Sequence, residues 1–287
     1  MLTLFAIPKP FRGQSDLIQR NAVASWTRIT PRPEVLLFGD EEGTAEVARE
    51  LGVRHAPEVA RNELGTPRLD DLFARAERIA TTPLLAYVNA DIILSDEFPA
   101  AVARAQAALN RFLMVGQRWD LEVDAPIDFN AADWQSTLAG RAHRADALQP
   151  PTCIDYFAFT RGFAEGILPL AIGRRAWDNY LVWRAYSRGF AVVDATRVVT
   201  AVHQVHDYSH HPGGTRGVWH GPEAQRNFEM IGGWWHRYTI EDSTHILTPA
   251  GIGRSHRHPW VMAKRLWSHP LTVFTWPWQT VRRALGA

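Results

Sequence analysis

Cys153 is the only cysteine in 287 residues. An internal disulfide framework is therefore excluded, and the chain fits a reducing compartment. No apolar run approaches the ~20 residues that a membrane-spanning helix requires. The first seven residues are apolar but meet Pro8-Lys9-Pro10 without a basic leader, so they do not read as a signal peptide. These absences predict a cytoplasmic protein. Internal repeats and low-complexity segments are also missing. Acidic residues stop at Asp242, whereas Arg254, Arg257, Lys264, Arg265, Arg282 and Arg283 follow it. The formal charge of +1 thus conceals an acidic body and a basic tail, an asymmetry that points to a surface partner for the tail. With 46% apolar and 21% charged residues, the chain is long enough for one large or two small globular domains.

The positive signal is an alternation of strands and helices. Residues 2–7 read as an apolar strand broken by Pro8-Lys9-Pro10-Phe11, whose prolines fix the backbone and leave Lys9 and Phe11 pointing outward. Ile18, Ala22, Trp26 and Ile29 form a helical stripe that stops before Pro31. Residues 34–38 return as a strand ending in Gly39-Asp40, and a second helix runs through Val47, Ala48 and Leu51 to Gly52. A short strand is expected within 53–59. Thr66 and Pro67 are placed as N-cap and first turn of a third helix that buries Leu69, Leu72, Phe73, Ala76 and Ile79. Residues 84–88 make the fourth strand. This order predicts an α/β fold with an open, mostly parallel sheet covered on both faces, with ligands beyond the carboxyl ends of the strands. Further on, residues 112–116 are expected to continue as one strand through Leu121. A short helix is expected near 134–138, a β-prone stretch at 154–159, a helix from Trp177 to Gly189, and strands at 191–194 and 198–202.

Chemistry concentrates at a few strand ends. In Tyr87-Val88-Asn89-Ala90-Asp91, alternation at the end of a strand sets Asn89 and Asp91 on one side, two oxygen donors suited to a hard divalent cation. The same residues also read as a strand cap and a turn. Four of the 12 histidines, His203, His206, His210 and His211, follow the strand at 198–202 and could supply imidazole to a metal, a hydrogen-bonded polar loop being the alternative. Asp178, at a helix start, is either a carboxylate stabilised by the helix dipole or a general base for an acceptor hydroxyl. Asp155 is a strand-end hydrogen-bond acceptor or a ligand of an acceptor sugar, and Trp119, Tyr156 and Trp177 offer aromatic faces to a glycan. Asp40 either accepts from a base or ribose or is a turn-forming aspartate. Lys9, Arg118 and Arg174 either neutralise phosphates or sit on a solvated surface.

The segments Pro8 to Phe11, Glu34 to Asp40, Tyr87 to Asp91, Trp177-Asp178 and His203 occur in the order in which GT-A glycosyltransferases carry their elements. This resemblance covers roughly residues 1–208. It implies a nucleotide held by Pro8, Lys9 and Asp40, and a divalent metal, Mn2+ or Mg2+, at Asn89 and Asp91, the position of the family's D-x-D motif. It also implies Asp178 as the base of an inverting transfer, and His203, with His206 as second choice, completing the metal site. Asn89 departs from the pattern, since an amide oxygen ligates without charge. The G-x-G-T-R loop of sugar nucleotidyltransferases is replaced here by Pro-Lys-Pro-Phe, which argues against that group.

Together these readings predict a GT-A-like catalytic domain over residues 1–247, with a nucleotide-sugar-binding half at 1–124 and an acceptor and catalytic half at 125–247. A basic, Trp-rich helical extension is expected over 248–287, its stripe formed by Leu271, Phe274, Trp278, Val281 and Leu285. The expected activity is transfer of a sugar from a nucleotide-sugar donor to a glycan or lipid-linked acceptor. The tail is read as an interfacial anchor on the inner face of the membrane, with a helix packed on the acidic body as the alternative. No nucleic-acid partner is expected. Two other readings compete: a zinc hydrolase built on His203, His206 and Asp207, and a non-catalytic glycan-binding protein using Trp119, Tyr156 and Trp177.

Overall fold

The computed structural model describes residues 1–206 and 214–268. Its first half runs β1 (Leu2–Ala6), α1 (Gly13–Arg28), β2 (Glu34–Phe38), α2 (Thr44–Leu51), β3 (Arg54–Ala56), α3 (Leu69–Ile79), β4 (Leu84–Val88), β5 (Ile92–Ile93), α4 (Glu97–Ala108), β6 (Phe112–Val115) and β7 (Arg118–Leu121). There follow α5 (Trp134–Arg144), β8 (Tyr156–Thr160), α6 (Trp177–Ser187), β9 (Ala191–Asp194), β10 (Ala201–Gln204), α7 (Gly214–His220) and α8 (Pro222–Met230). Two 3-10 turns (Gly233–His236 and Ile240–Asp242), β11 (His245–Thr248), β12 (Gly251–Arg254) and α9 (His258–Ser268) complete the described chain.

Nine strands form one sheet in the order β12-β11-β9-β6-β8-β4-β1-β2-β3. Only β8, against β4 and β6, and β12, against β11, pair antiparallel. The open, mostly parallel sheet flanked by helices is thus the predicted architecture, and its period-two pattern explains the two cores. Along β4, Leu85 and Tyr87 face α3 and α6, while Leu84, Ala86 and Val88 face α1 and α4. All five β4 residues are buried, as a central strand covered on both faces requires.

A second, three-stranded sheet, β5-β10-β7, packs beside the first. The expected single strand through residue 121 is therefore two strands in different sheets. The break falls at Gly116, where an added Cβ would collide with the Tyr156 hydroxyl, so only glycine lets the chain leave the large sheet there. Trp26, fully buried on α1, donates its indole N–H to the Ile92 carbonyl (2.9 Å) and fixes the small sheet against the large one. Losing that side chain would remove about 3–5 kcal/mol.

Three other expectations shift. The third helix starts at Leu69, because Pro67 and Arg68 pair with Arg61 and Ala171 instead of opening a helical turn, and Thr66 is not its cap. The strand expected at 198–202 lies at 201–204, since Val198 and Val199 turn back on the Ala195 carbonyl, and His203 sits inside it. The large sheet reaches Arg254, so residue 248 falls inside a hairpin and not between the body and an extension. The stripe from Leu271 to Leu285 lies outside the described residues, as do Asp207, His210 and His211. Among the described residues, no helix is long and apolar enough to cross a membrane.

Candidate active site

The site assembles where β1 and β4 end and the small sheet begins. β4 stops at Val88, and the Ile92 N–H closes a turn onto the Asn89 carbonyl (3.0 Å). The strand alternation invoked for Asn89 and Asp91 therefore does not apply, and the turn sends the two side chains to different partners. Asn89 donates its amide to Asp155 Oδ1. Asp91 Oδ2 lies 3.1 Å from His206 Nε2.

Pairing of the small sheet brings in His203. In the β5-β10-β7 register it stands opposite Ile92 on one side and Asp120 on the other. Its Nδ1 lies 3.0 Å from Asp120 Oδ1. An ionised carboxylate only accepts, so Nδ1 is the donor in this contact. Ligand atoms of Asp91, His203 and His206 all lie within 4.8 Å of one another, near twice the ~2.1 Å metal–ligand distance. Asp91 Oδ1 is buried with no hydrogen-bond partner among the described residues. Such an orphan oxygen beside a carboxylate-oriented imidazole fits a divalent cation. Burial acts to raise the Asp91 carboxyl, but the His206 hydrogen bond with the nearby His203 and Lys9 outweighs it, holding the group well below the usual carboxylate range.

Asp91 is held from behind by a buried amide. Gln204 donates its side-chain N–H to the Asp91 carbonyl (3.1 Å) and to the Ile18 carbonyl (2.7 Å), and accepts from Asn21 (3.0 Å). Lys9 follows β1 and is clamped by Gln19, which accepts its backbone N–H (2.7 Å) and donates to its carbonyl (2.9 Å). Burial pushes the Lys9 ammonium down, while Asp91 and Asp155 act to raise it. Arg118 bridges Asp120 (3.0 Å) and Asp155 (2.8 Å), so one chain of polar contacts runs from His203 to Asn89. Pro8, the residue before Lys9, is buried.

Asp178 is the second residue of α6, which starts at Trp177 after Ala176, a non-glycine N-cap held at φ 74. That left-handed turn stores strain of ~1–3 kcal/mol and aims the first turn of the helix. The Asn179 N–H donates to Asp178 Oδ1 (2.8 Å). Burial pushes the carboxyl up to about 7, opposed by that hydrogen bond and by Arg237, and reinforced by Asp155. A half-buried carboxyl of that strength can exchange a proton near neutral pH.

Other residues singled out in the sequence lie elsewhere. Tyr156 is fully buried against Phe98, on the opposite face of β8 from the cleft, and offers no surface to an acceptor. Trp177 packs between Tyr87 and Phe157 in the core. Trp119 turns away from Asp120 toward α5 and meets His143 at 4.7 Å. Asp40 is exposed at the end of β2 and paired with Arg61 (2.6 Å). Asp120, Asn179 and Arg237 were missed. For Asp120 a signal existed, since Arg118 and Asp120 share a face of a short strand. Asn179 and Arg237 gave none.

No family model and no curated protein matches the sequence. Among solved structures, the chain is similar to glucosyl-3-phosphoglycerate synthase from Mycobacterium tuberculosis in complex with Mg2+ and uridine diphosphate. The identity is 14% over 72% of each chain, with a TM-score of 0.43. A mannosyltransferase from Pyrobaculum calidifontis, in complex with GDP-Man and Mn2+, aligns at 15% identity and TM-score 0.47 over 71% of this chain and 57% of its own. TarS from S. aureus (residues 1-349) aligns at 8% identity and TM-score 0.44 over 71% and 57%. Each of these likenesses is one of fold.

Proposed function

We propose that this chain is a metal-dependent glycosyltransferase that moves a sugar from a nucleotide-sugar donor to a hydroxyl of a glycan or lipid-linked acceptor. One observation carries the reading: Asp91, His203 and His206 converge in the same electrostatic neighbourhood as Lys9, at the carboxyl ends of the parallel strands. Two imidazoles with one carboxylate suit Mn2+ better than Mg2+, which prefers an all-oxygen shell. When bound, the cation supplies positive charge to the departing diphosphate.

The chain's own groups supply the rest. Lys9, with its backbone clamped by Gln19, offers a second positive charge to the phosphates. Asp178 takes the acceptor's hydroxyl proton at Oδ2, Oδ1 being held by the Asn179 N–H. The freed oxygen bonds to the anomeric carbon as the carbon–oxygen bond to the diphosphate breaks, the electron pair leaving with the diphosphate. Attack opposite the leaving group inverts the anomeric centre. A base of strength about 7 is matched to that proton transfer at neutral pH.

The test is a thermal-shift series of nucleotides and nucleotide sugars with and without Mn2+, repeated on Asp91→Asn. A Mn2+-dependent rise with at least one nucleotide, lost in the variant, is expected. Absence of any nucleotide response removes the transferase reading. The donor set of two histidines and one aspartate also matches a hydrolytic zinc centre. Zinc retained through purification, together with silence toward nucleotides, is the result that reading requires.

A further inference from the structure

Two consecutive left-handed glycines, Gly232 (φ 80) and Gly233 (φ 78), turn the chain off α8 and present Trp234, which is 58% exposed. This side chain is flanked by two cations. The guanidinium carbon of Arg175 lies 5.0 Å from its ring centroid, and that of Arg237 also lies 5.0 Å from it. Arg175 lies in addition 4.7 Å from the ring centroid of Phe228, which meets Trp234 edge-on at 5.2 Å. A guanidinium laid on a ring keeps its charge and leaves N–H edges able to grip a planar anion. Arg174, the preceding residue, is paired with Glu223 at 2.8 Å.

The pair is tied to the candidate base. Arg237 donates its Nε–H to Asn179 Oδ1 (2.8 Å), and the backbone N–H of the same Asn179 donates to Asp178 (2.8 Å). Asn179 is buried and also donates to the Thr152 carbonyl (3.4 Å), so it is a fixed link between carboxylate and cation. Burial presses the Arg237 guanidinium below its ordinary value, Asp178 opposes this and Arg175 adds to it. The repulsion between two like charges is relieved by an anion placed between them.

We propose that Arg175, Trp234 and Arg237 form the acceptor subsite and that the acceptor carries a phosphate or carboxylate group alongside its reacting hydroxyl. The inference rests on the transferase reading, with Asp178 as the base. The indole offers an apolar platform for the acceptor's carbon frame, while the two guanidiniums hold its anionic end and set the hydroxyl toward Asp178. Phosphate on a free sugar and phosphate on a lipid headgroup share this chemistry.

The experiment measures equilibrium binding of glucose, glucose 6-phosphate and glucuronate, and of vesicles with or without phosphatidic acid, in the presence of Mn2+ and nucleotide. The wild-type protein is expected to bind at least one of the two anionic sugars, or the acidic vesicles, about 10-fold or more above its neutral counterpart. In Arg175→Gln/Arg237→Gln that preference collapses while the Mn2+–nucleotide thermal shift stays unchanged. Arg175→Gln alone, at a ring-packed position, repeats the loss in part and serves if the double variant does not fold. Equal affinity for charged and neutral probes in the wild type overturns the proposal. Loss of nucleotide binding in the double variant also overturns it, by assigning the arginines to the donor's phosphates. A wild-type protein with no nucleotide response fails the transferase reading itself, a separate result read in a separate assay.

Discussion

His203 Nδ1 and Asp120 Oδ1 lie 3.0 Å apart across two parallel strands whose register sets the two residues opposite each other, although 83 positions separate them in the chain. The carboxylate holds Nδ1 of an imidazole that lies in one cluster with Asp91 and His206. Arg118, on the same face, donates its Nε–H to the same Oδ1 (3.0 Å). If His203 is a ligand of the proposed metal, Asp120 is its orienting partner, as carboxylates are at many metal sites.

From this, Asp120→Ala is expected to weaken Mn2+ binding about 10–100-fold in the protein alone, measured by spin-resonance titration of free Mn2+. Unchanged affinity in a folded variant would remove the orienting role.

Asp178 carries a pH signature in both activity and stability. Its carboxyl is raised to about 7 in the folded protein from an ordinary 3.8, so between these values the fold holds a proton that the unfolded chain has lost. Stability contributed by the neutral carboxyl is full below about pH 4 and is lost as pH rises through 7. Asp178→Asn should therefore match the wild type in melting temperature at pH 4 and exceed it at pH 8, by on the order of 2 kcal/mol. Transfer activity in the wild type should climb through pH 7, and the variant should lose about 100-fold or more in kcat. A pH-independent stability difference would contradict the burial of this group.

Tyr156 tests the assignment of aromatic residues to the core. Its hydroxyl is buried without a hydrogen-bond partner among the described residues. Tyr156→Phe should raise stability by about 1 kcal/mol in denaturant melts and leave saccharide binding untouched. Weakened saccharide binding would return Tyr156 to the acceptor site.

Cys153 reports on the cleft. Burial pushes its thiol up against the influence of Arg118, and Asp155 and Asp178 act on it as well. Alkylation by iodoacetamide should be slow at pH 7, accelerate beyond pH 9, and slow again when nucleotide sugar and acceptor are bound, as followed by mass spectrometry. A rate indifferent to those ligands would place Cys153 outside the occupied volume.

Much of the frame was readable from local pattern. The stripe of Ile18, Ala22 and Trp26 and the apolar runs at 34–38 and 84–88 carry periods of 3.6 and two, and these periods are enough to write β1 through β4 with their helices in order. The same pattern set Asp91 past the end of β4 and His203 and His206 near the end of β10. Position along one strand could be read because it depends on neighbours in sequence.

What the chain does across space was decided only by tertiary structure. Gly116 gave no warning that residues 112–121 split between two sheets, because the bar to a side chain there comes from the Tyr156 hydroxyl on another strand. Asn89 and Asp91 were paired by strand alternation, yet a turn separated them and gave Asn89 to Asp155. Whether an aromatic such as Trp119, Tyr156 or Trp177 faces a cleft or a core depends on which element covers it. Side-chain type and spacing determined which residues carry chemistry. Long-range strand pairing and helix packing determined which of them meet, and that information resides in contacts between residues far apart in the chain.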